Sequence, residues 1–98
     1  MWSKNKARMT SEEREYVGLV KMLPCSVCDA AGPCEAHEIK QGAWWTSMAL
    51  CYDCHRNPVL GLHGQKRAWA IRKMDEIDAL GVTVQRVVRN LSERRFSP

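Results

Sequence analysis

Five cysteines and all three histidines of this 98-residue chain lie between Cys25 and His63. The cysteines include two C-x-x-C pairs, Cys25-Ser26-Val27-Cys28 and Cys51-Tyr52-Asp53-Cys54. His37 falls between the pairs, His55 directly follows the second pair, and His63 lies further on in Gly61-Leu62-His63-Gly64. A C-x-x-C turn can aim two thiolates at one ion, and two such turns supply the four ligands at about 2.3 Å that tetrahedral zinc takes. The pairs are separated by 22 residues, positions 29 to 50, which leaves room for one β-hairpin. One structural zinc on Cys25, Cys28, Cys51 and Cys54 is therefore expected. A redox role would need a single pair in a thioredoxin-like βαβ pattern, which is absent. Cys34 has no partner at ligand spacing and reads as a small buried hydrophobe.

With four thiolates assigned, His37, His55 and His63 are left over. The backbone of His55 is held by the ligand before it, and Gly61 and Gly64 permit tight geometry around His63. The three imidazoles together would make an open site, with positions left for water and phosphate, as hydrolytic metals require. The competing reading is that one or more of them support the zinc or lie on the surface.

These side chains need elements to hold them. Thr10-Ser11-Glu12-Glu13 reads as a capping box, and Tyr16, Leu19, Val20 and Leu23 form one apolar stripe of a helix that Pro24 ends. Cys34 to Ile39 and Thr46 to Leu50 are short strand candidates flanking a loop. Asn57-Pro58 forbids a helix through that point. Gln65 to about Met74 should be helical, with Ala68, Trp69, Ile71 and Met74 toward the core. Gly81 suits a C′ position, and Thr83 an N-cap for a last helix to about Leu91, with Val84, Val87, Val88 and Leu91 as its apolar stripe.

The apolar share of 45% and charged share of 27% are those of an ordinary globular protein of one domain. The net charge of +4 suits a nucleic-acid partner and equally suits a merely solvated surface. No apolar run approaches the roughly 18 residues of a membrane span, and no apolar segment follows the basic N-terminus. A cytoplasmic protein with no membrane partner is expected, and in a reducing cytosol C-x-x-C pairs read as metal sites.

Taken together, Cys-x-x-Cys, Ala36-His37-Glu38-Ile39, Leu50-Cys51-x-x-Cys54-His55-Arg56 and Gly61-Leu62-His63-Gly64 resemble the HNH (ββα-metal) nucleases built on a treble-clef zinc finger. The likeness spans about residues 20–75 and is nearest to the phage recombination-enhancement (Ref-like) nucleases, which act with the RecA filament. The resemblance implies a metal-dependent DNA endonuclease, phage or prophage encoded and active in the host cytosol. It implies a second divalent cation, Mg, Mn or Zn, beside the structural zinc. By that likeness His37, Glu38, His55 and His63 are the catalytic candidates, and His37, His55 and His63 the candidate cation ligands. Glu38 stands where the family has its general base, and the middle Asn of HNH has no counterpart.

Several arrangements of the strand remain open. Glu38 is the base; or His37 is the base and the cation sits on His55 and His63; or the site has decayed and only binds DNA. In a regular strand Glu35 and His37 share a face while Glu38 points away, and a bulge at residue 38 would restore the family geometry. Arg56, Lys66, Arg67, Arg72 and Lys73 are the candidate DNA contacts, Arg56 for the scissile phosphate, with Arg86, Arg89, Arg94 and Arg95 crowding the C-terminus. Of Trp44-Trp45, one should cover core and one present a stacking surface. The expectation is an α+β domain, a small zinc-stabilised treble-clef (ββα-metal) unit with flanking helices. It comprises a basic arm (1–9), a helix (10–23), a zinc-clamped hairpin core (25–63), C-terminal helices (64–92) and a loose tail (93–98). The alternative function is a noncatalytic zinc-binding module for DNA or a protein partner.

Overall fold

The structure is a computed structural model and describes residues 8–57, 61 and 67–96. Helix α1 (Ser11–Lys21) begins at the expected capping box. Thr10 Oγ1 accepts from Glu13 N at 3.0 Å, and Glu13 Oε1 accepts from Thr10 N at 2.8 Å. These bonds satisfy donors that a helix start leaves unpaired. The helix buries Val17 and Val20, with Tyr16 and Leu19 partly covered.

Strands β1 (Glu35–Glu38) and β2 (Ser47–Leu50) form an antiparallel hairpin. Its register runs Glu35↔Leu50, Ala36↔Ala49, His37↔Met48, Glu38↔Ser47 without a bulge. The connection contains Gly42 at φ 87°, a conformation glycine adopts without penalty, and a 3₁₀ turn at Trp44–Thr46. A lone hairpin is marginal in water. Here all four residues of β2 are buried, packed by α1 and by the C-terminal helix. The outer edge of β2 is also occupied: Ala49 O accepts from Ser26 N at 2.9 Å, and Ala49 N donates to Thr83 Oγ1 at 3.2 Å.

After the second C-x-x-C pair come the single turn α2 (Tyr52–His55), then α3 (Arg67–Arg72) and α4 (Glu76–Phe96). Trp69 is buried and Met74 packs against the core, as expected. Ile71, expected inward, is 71% exposed. Residues two apart on a helix diverge by roughly 200°, so committing Trp69 to the core turns Ile71 to solvent. The side chain of Ala68 lies outside the described part.

The C-terminal region departs further from expectation. Gly81 ends no helix and Thr83 begins none; α4 runs unbroken from Glu76 through both and on to Phe96, across most of the expected tail. Asp75 caps it instead, accepting at Oδ1 from Asp78 N at 2.9 Å. The inward face is Ala79, Thr83 and Val87, so Val84, Val88 and Leu91 are 42%, 56% and 43% exposed. Thr83 sets this rotation because buried hydroxyl and amide groups of the N-terminal half need it. Gly81 is exposed, and a Cβ built on it meets nothing within 4 Å. Gly81→Ala is therefore expected to stabilise the protein by about 0.5–1 kcal/mol, read as a higher denaturation midpoint at unchanged slope.

The whole is a small mixed α/β fold with a two-stranded sheet among the described residues. No helix of the described residues is long and apolar enough to cross a membrane.

Candidate metal centre and histidine site

The two C-x-x-C pairs meet. Cys25 and Cys28 lie on the turn after α1, where Cys25 N donates to Ala30 O and Cys25 O accepts from Asp29 N, with Asp29 at φ 67° closing the turn. Cys51 is the N-cap of α2 and Cys54 lies within it. The four Sγ atoms lie within 4.8 Å of one another. The Cys28–Cys51 separation is 3.6 Å. Four sulfurs at about 2.3 Å from a tetrahedral ion would stand about 3.8 Å apart. The cluster is thus the right size and chemistry to hold a metal ion such as zinc.

Its electrostatics agree. Burial opposes ionisation of Cys25, but backbone N–H groups of Cys28, Cys51 and Val27 hold its thiol below the usual range. Burial, reinforced by the charge on Cys25, pushes Cys51 and Cys54 up. One thiol is poised to ionise and its neighbours resist, an opposition that a shared cation removes. Cys34, buried beside β1, stays outside the cluster; burial and the nearby thiols push it up to about 11.

The cluster is tied into the fold at several points. Trp69 Nε1 donates to Cys54 O at 2.9 Å. Arg86 Nη1 donates to Cys25 O at 3.3 Å, and Nη2 pairs with Asp29. Arg86 thus fastens α4 to the first C-x-x-C turn. A Cβ on Gly61 would approach Asp53 O and Asn57 N to 2.8 Å, so only glycine lets the chain pass this closely behind α2.

Beside the cluster the sheet and α2 bring two histidines together. His37 on β1 and His55 on α2 face each other, with His37 Nδ1 to His55 Nε2 at 3.1 Å. Each ring is backed by a carboxylate: Glu76 Oε2 lies 2.8 Å from His37 Nε2, and Glu35 Oε1 lies 2.6 Å from His55 Nδ1. Arg56 Nε donates to the same Glu35 oxygen at 2.9 Å. Partial burial would raise Glu35, but hydrogen bonds from His55 and Arg56 hold its carboxyl below the usual range.

The strand is regular, so Glu35 and His37 share this face, and alternation places Glu38 on the other. His63 and Lys66 lie outside the described residues. Arg67, Arg72 and Lys73 are exposed on and just after α3, and Arg89 is exposed on α4; the side chains of Arg94 and Arg95 lie outside the described part. Trp45 is exposed and leans on Tyr16 at a ring distance of 5.0 Å, while Trp44 is partly covered.

Glu76 is the site residue that spacing did not suggest. It sits 39 positions from His37, and only the docking of α4 brings it there. Comparison with models of known families, with curated proteins and with solved structures finds no match.

Proposed function

We propose that this chain is a small cation-dependent DNA endonuclease of the HNH type, with a treble-clef core held by one zinc on Cys25, Cys28, Cys51 and Cys54. The observation that carries the reading is the His37–His55 pair. Two imidazole nitrogens bound at about 2.1 Å to one ion stand about 3.0 Å apart at a right angle and about 3.4 Å at a tetrahedral one. The observed 3.1 Å fits adjacent ligands of a single divalent cation. His37 through Nδ1 and His55 through Nε2 would hold it.

Such a cation, when bound, offsets charge that builds on a phosphodiester during hydrolysis. Arg56 lies beside the pair, oriented by Glu35 and more than half exposed, where its guanidinium can pair with a phosphate oxygen. Arg67, Arg72 and Lys73 supply sequence-independent backbone contacts. Alternation along the regular strand turns Glu38 away from this face, which weighs against it as the base.

Nicking of supercoiled plasmid with Mg²⁺ or Mn²⁺ tests the proposal. His37→Ala and His55→Ala are each expected to lower the rate by roughly 10²-fold or more, the scale of a lost transition-state contact, with the thiol cluster's metal content unchanged. Glu38→Gln is expected to lose less than the roughly 10²-fold that a general base contributes. DNA that is bound yet uncut under every cation would instead assign the chain to the noncatalytic zinc modules.

A further inference from the structure

A groove lies between α1 and α4 and shares no residue with the thiol cluster or the histidine pair. Leu19, Val87 and Leu91 line it throughout. Met22 and Leu23 continue the apolar lining at one end. At the other stand Tyr16 and Trp45, together with Glu12 and Glu15. Met22, Trp45 and Leu91 are large apolar side chains left exposed. The rotation of α4 that buries Ala79, Thr83 and Val87 leaves Val84 and Val88 exposed beside Leu91, so the apolar surface continues past the groove. Contiguous exposed apolar surface with a polar rim marks an interaction site.

The acids of that rim sit on a chain of net charge +4. The helix macrodipole favours an acid in the first turn and accounts for Glu12, and Glu13 is held in the capping box. Glu15 lies beyond that turn. Among the described residues neither Glu12 nor Glu15 is ion-paired. Tyr16 and Trp45, with ring centroids 5.0 Å apart, stand as an aromatic wall beside the two carboxylates. Carboxylates next to an aromatic face attract a Lys or Arg side chain through both charge and the ring quadrupole. The same carboxylates repel phosphate, and none of Arg56, Arg67, Arg72 and Lys73 lines the groove. That charge pattern argues against nucleic-acid bases stacking on Trp45.

We propose that this groove docks a basic amphipathic helix of a partner protein, its apolar stripe on Leu19, Val87 and Leu91 and a Lys or Arg side chain against Trp45, Glu12 and Glu15. Helices enter such grooves through apolar anchors at i, i+3, i+4 and i+7. The 11 residues of α1 extend about 16 Å, the length of about three turns of an incoming helix. Because the surface is separate from the histidines, the proposal stands whether or not the chain cuts DNA.

Fluorescence anisotropy on the zinc-loaded full chain tests it. The probe is a labelled amphipathic peptide with leucines at i, i+3, i+4 and i+7 and lysines on the flanks. A second peptide has glutamates in place of the lysines, and a third probe is single-stranded oligothymidylate. The lysine peptide should bind roughly 10-fold tighter than the glutamate peptide, the scale of two exposed ion pairs, with affinity falling as salt rises. Trp45→Ala should weaken it by roughly 30-fold, as loss of an aromatic anchor does, with zinc content and melting unaltered. Glu12→Gln with Glu15→Gln should lose most of the preference between the peptides, and Glu12→Lys with Glu15→Lys should reverse it. Equal affinity of the parent for the two peptides overturns the proposal, as does a Trp45→Ala protein that binds like the parent. Oligothymidylate binding that Trp45→Ala abolishes would overturn it in favour of base stacking. Self-association that Trp45→Ala abolishes would overturn it in favour of a second copy of the chain.

Discussion

Replacing Cys54 by serine is expected to strip the metal from the four-thiol cluster and, with it, the cooperative fold. Structural zinc on such ligands contributes on the order of 10–16 kcal/mol to folding, at least as much as the 5–15 kcal/mol net stability of a typical domain. The cluster joins the turn after α1 to the start of α2, two segments that meet in one small buried core. Metal analysis of the parent should find about one zinc per chain. The Cys54→Ser protein should carry far less and melt without a cooperative transition. Cys34→Ser is the control. Its thiol is outside the cluster, and its variant should keep full zinc at a modest stability cost. A Cys54→Ser protein that melts like the parent would show that the thiols do not hold the fold.

The second large effect is expected at Thr83. Its hydroxyl donates to Ala79 O at 3.0 Å, lies 2.7 Å from Ser26 Oγ and accepts from Ala49 N at 3.2 Å. Because its own proton goes to Ala79, Ser26 is the donor in the shared bond. One oxygen therefore links α4 to the first C-x-x-C turn and to the outer edge of β2, where all three groups are buried. Valine has nearly the same shape and no hydroxyl. Thr83→Val leaves the Ser26 hydroxyl and the Ala49 amide without this partner, at about 1–3 kcal/mol each, for a total on the order of 2–6 kcal/mol. The denaturant midpoint should fall accordingly with the slope unchanged. Thr83→Ser, which keeps the oxygen, should retain most of the stability. A valine variant within about 0.5 kcal/mol of the parent, the range of a neutral surface change, would remove Thr83 from this role.

Some of the fold was legible in the chain because its causes are local. The capping box at Thr10 and Glu13 spans four residues, and α1 starts where it says. The C-x-x-C segments aim paired thiols, and the two pairs at the same spacing meet in one cluster. Alternation along β1 already paired Glu35 with His37 on one face, and the regular register keeps them there. The C-terminal half was misread for a physical reason. Gly81 and Thr83 both weaken an isolated helix, so their neighbourhood looks like an end and a new start. Burial of Ala79, Thr83 and Val87 overrides that preference and carries α4 through.

The residue types and the thiol spacing by themselves determined that a metal-sized cluster would form and that histidines would lie close to it. Which groups stand behind those histidines was decided only by tertiary structure. Glu76 reaches His37 across 39 positions because Thr83 and Arg86 dock α4 against the hairpin and the first thiol turn. Periodicity records how each element turns about its own axis. It does not record where a distant helix will place its first carboxylate.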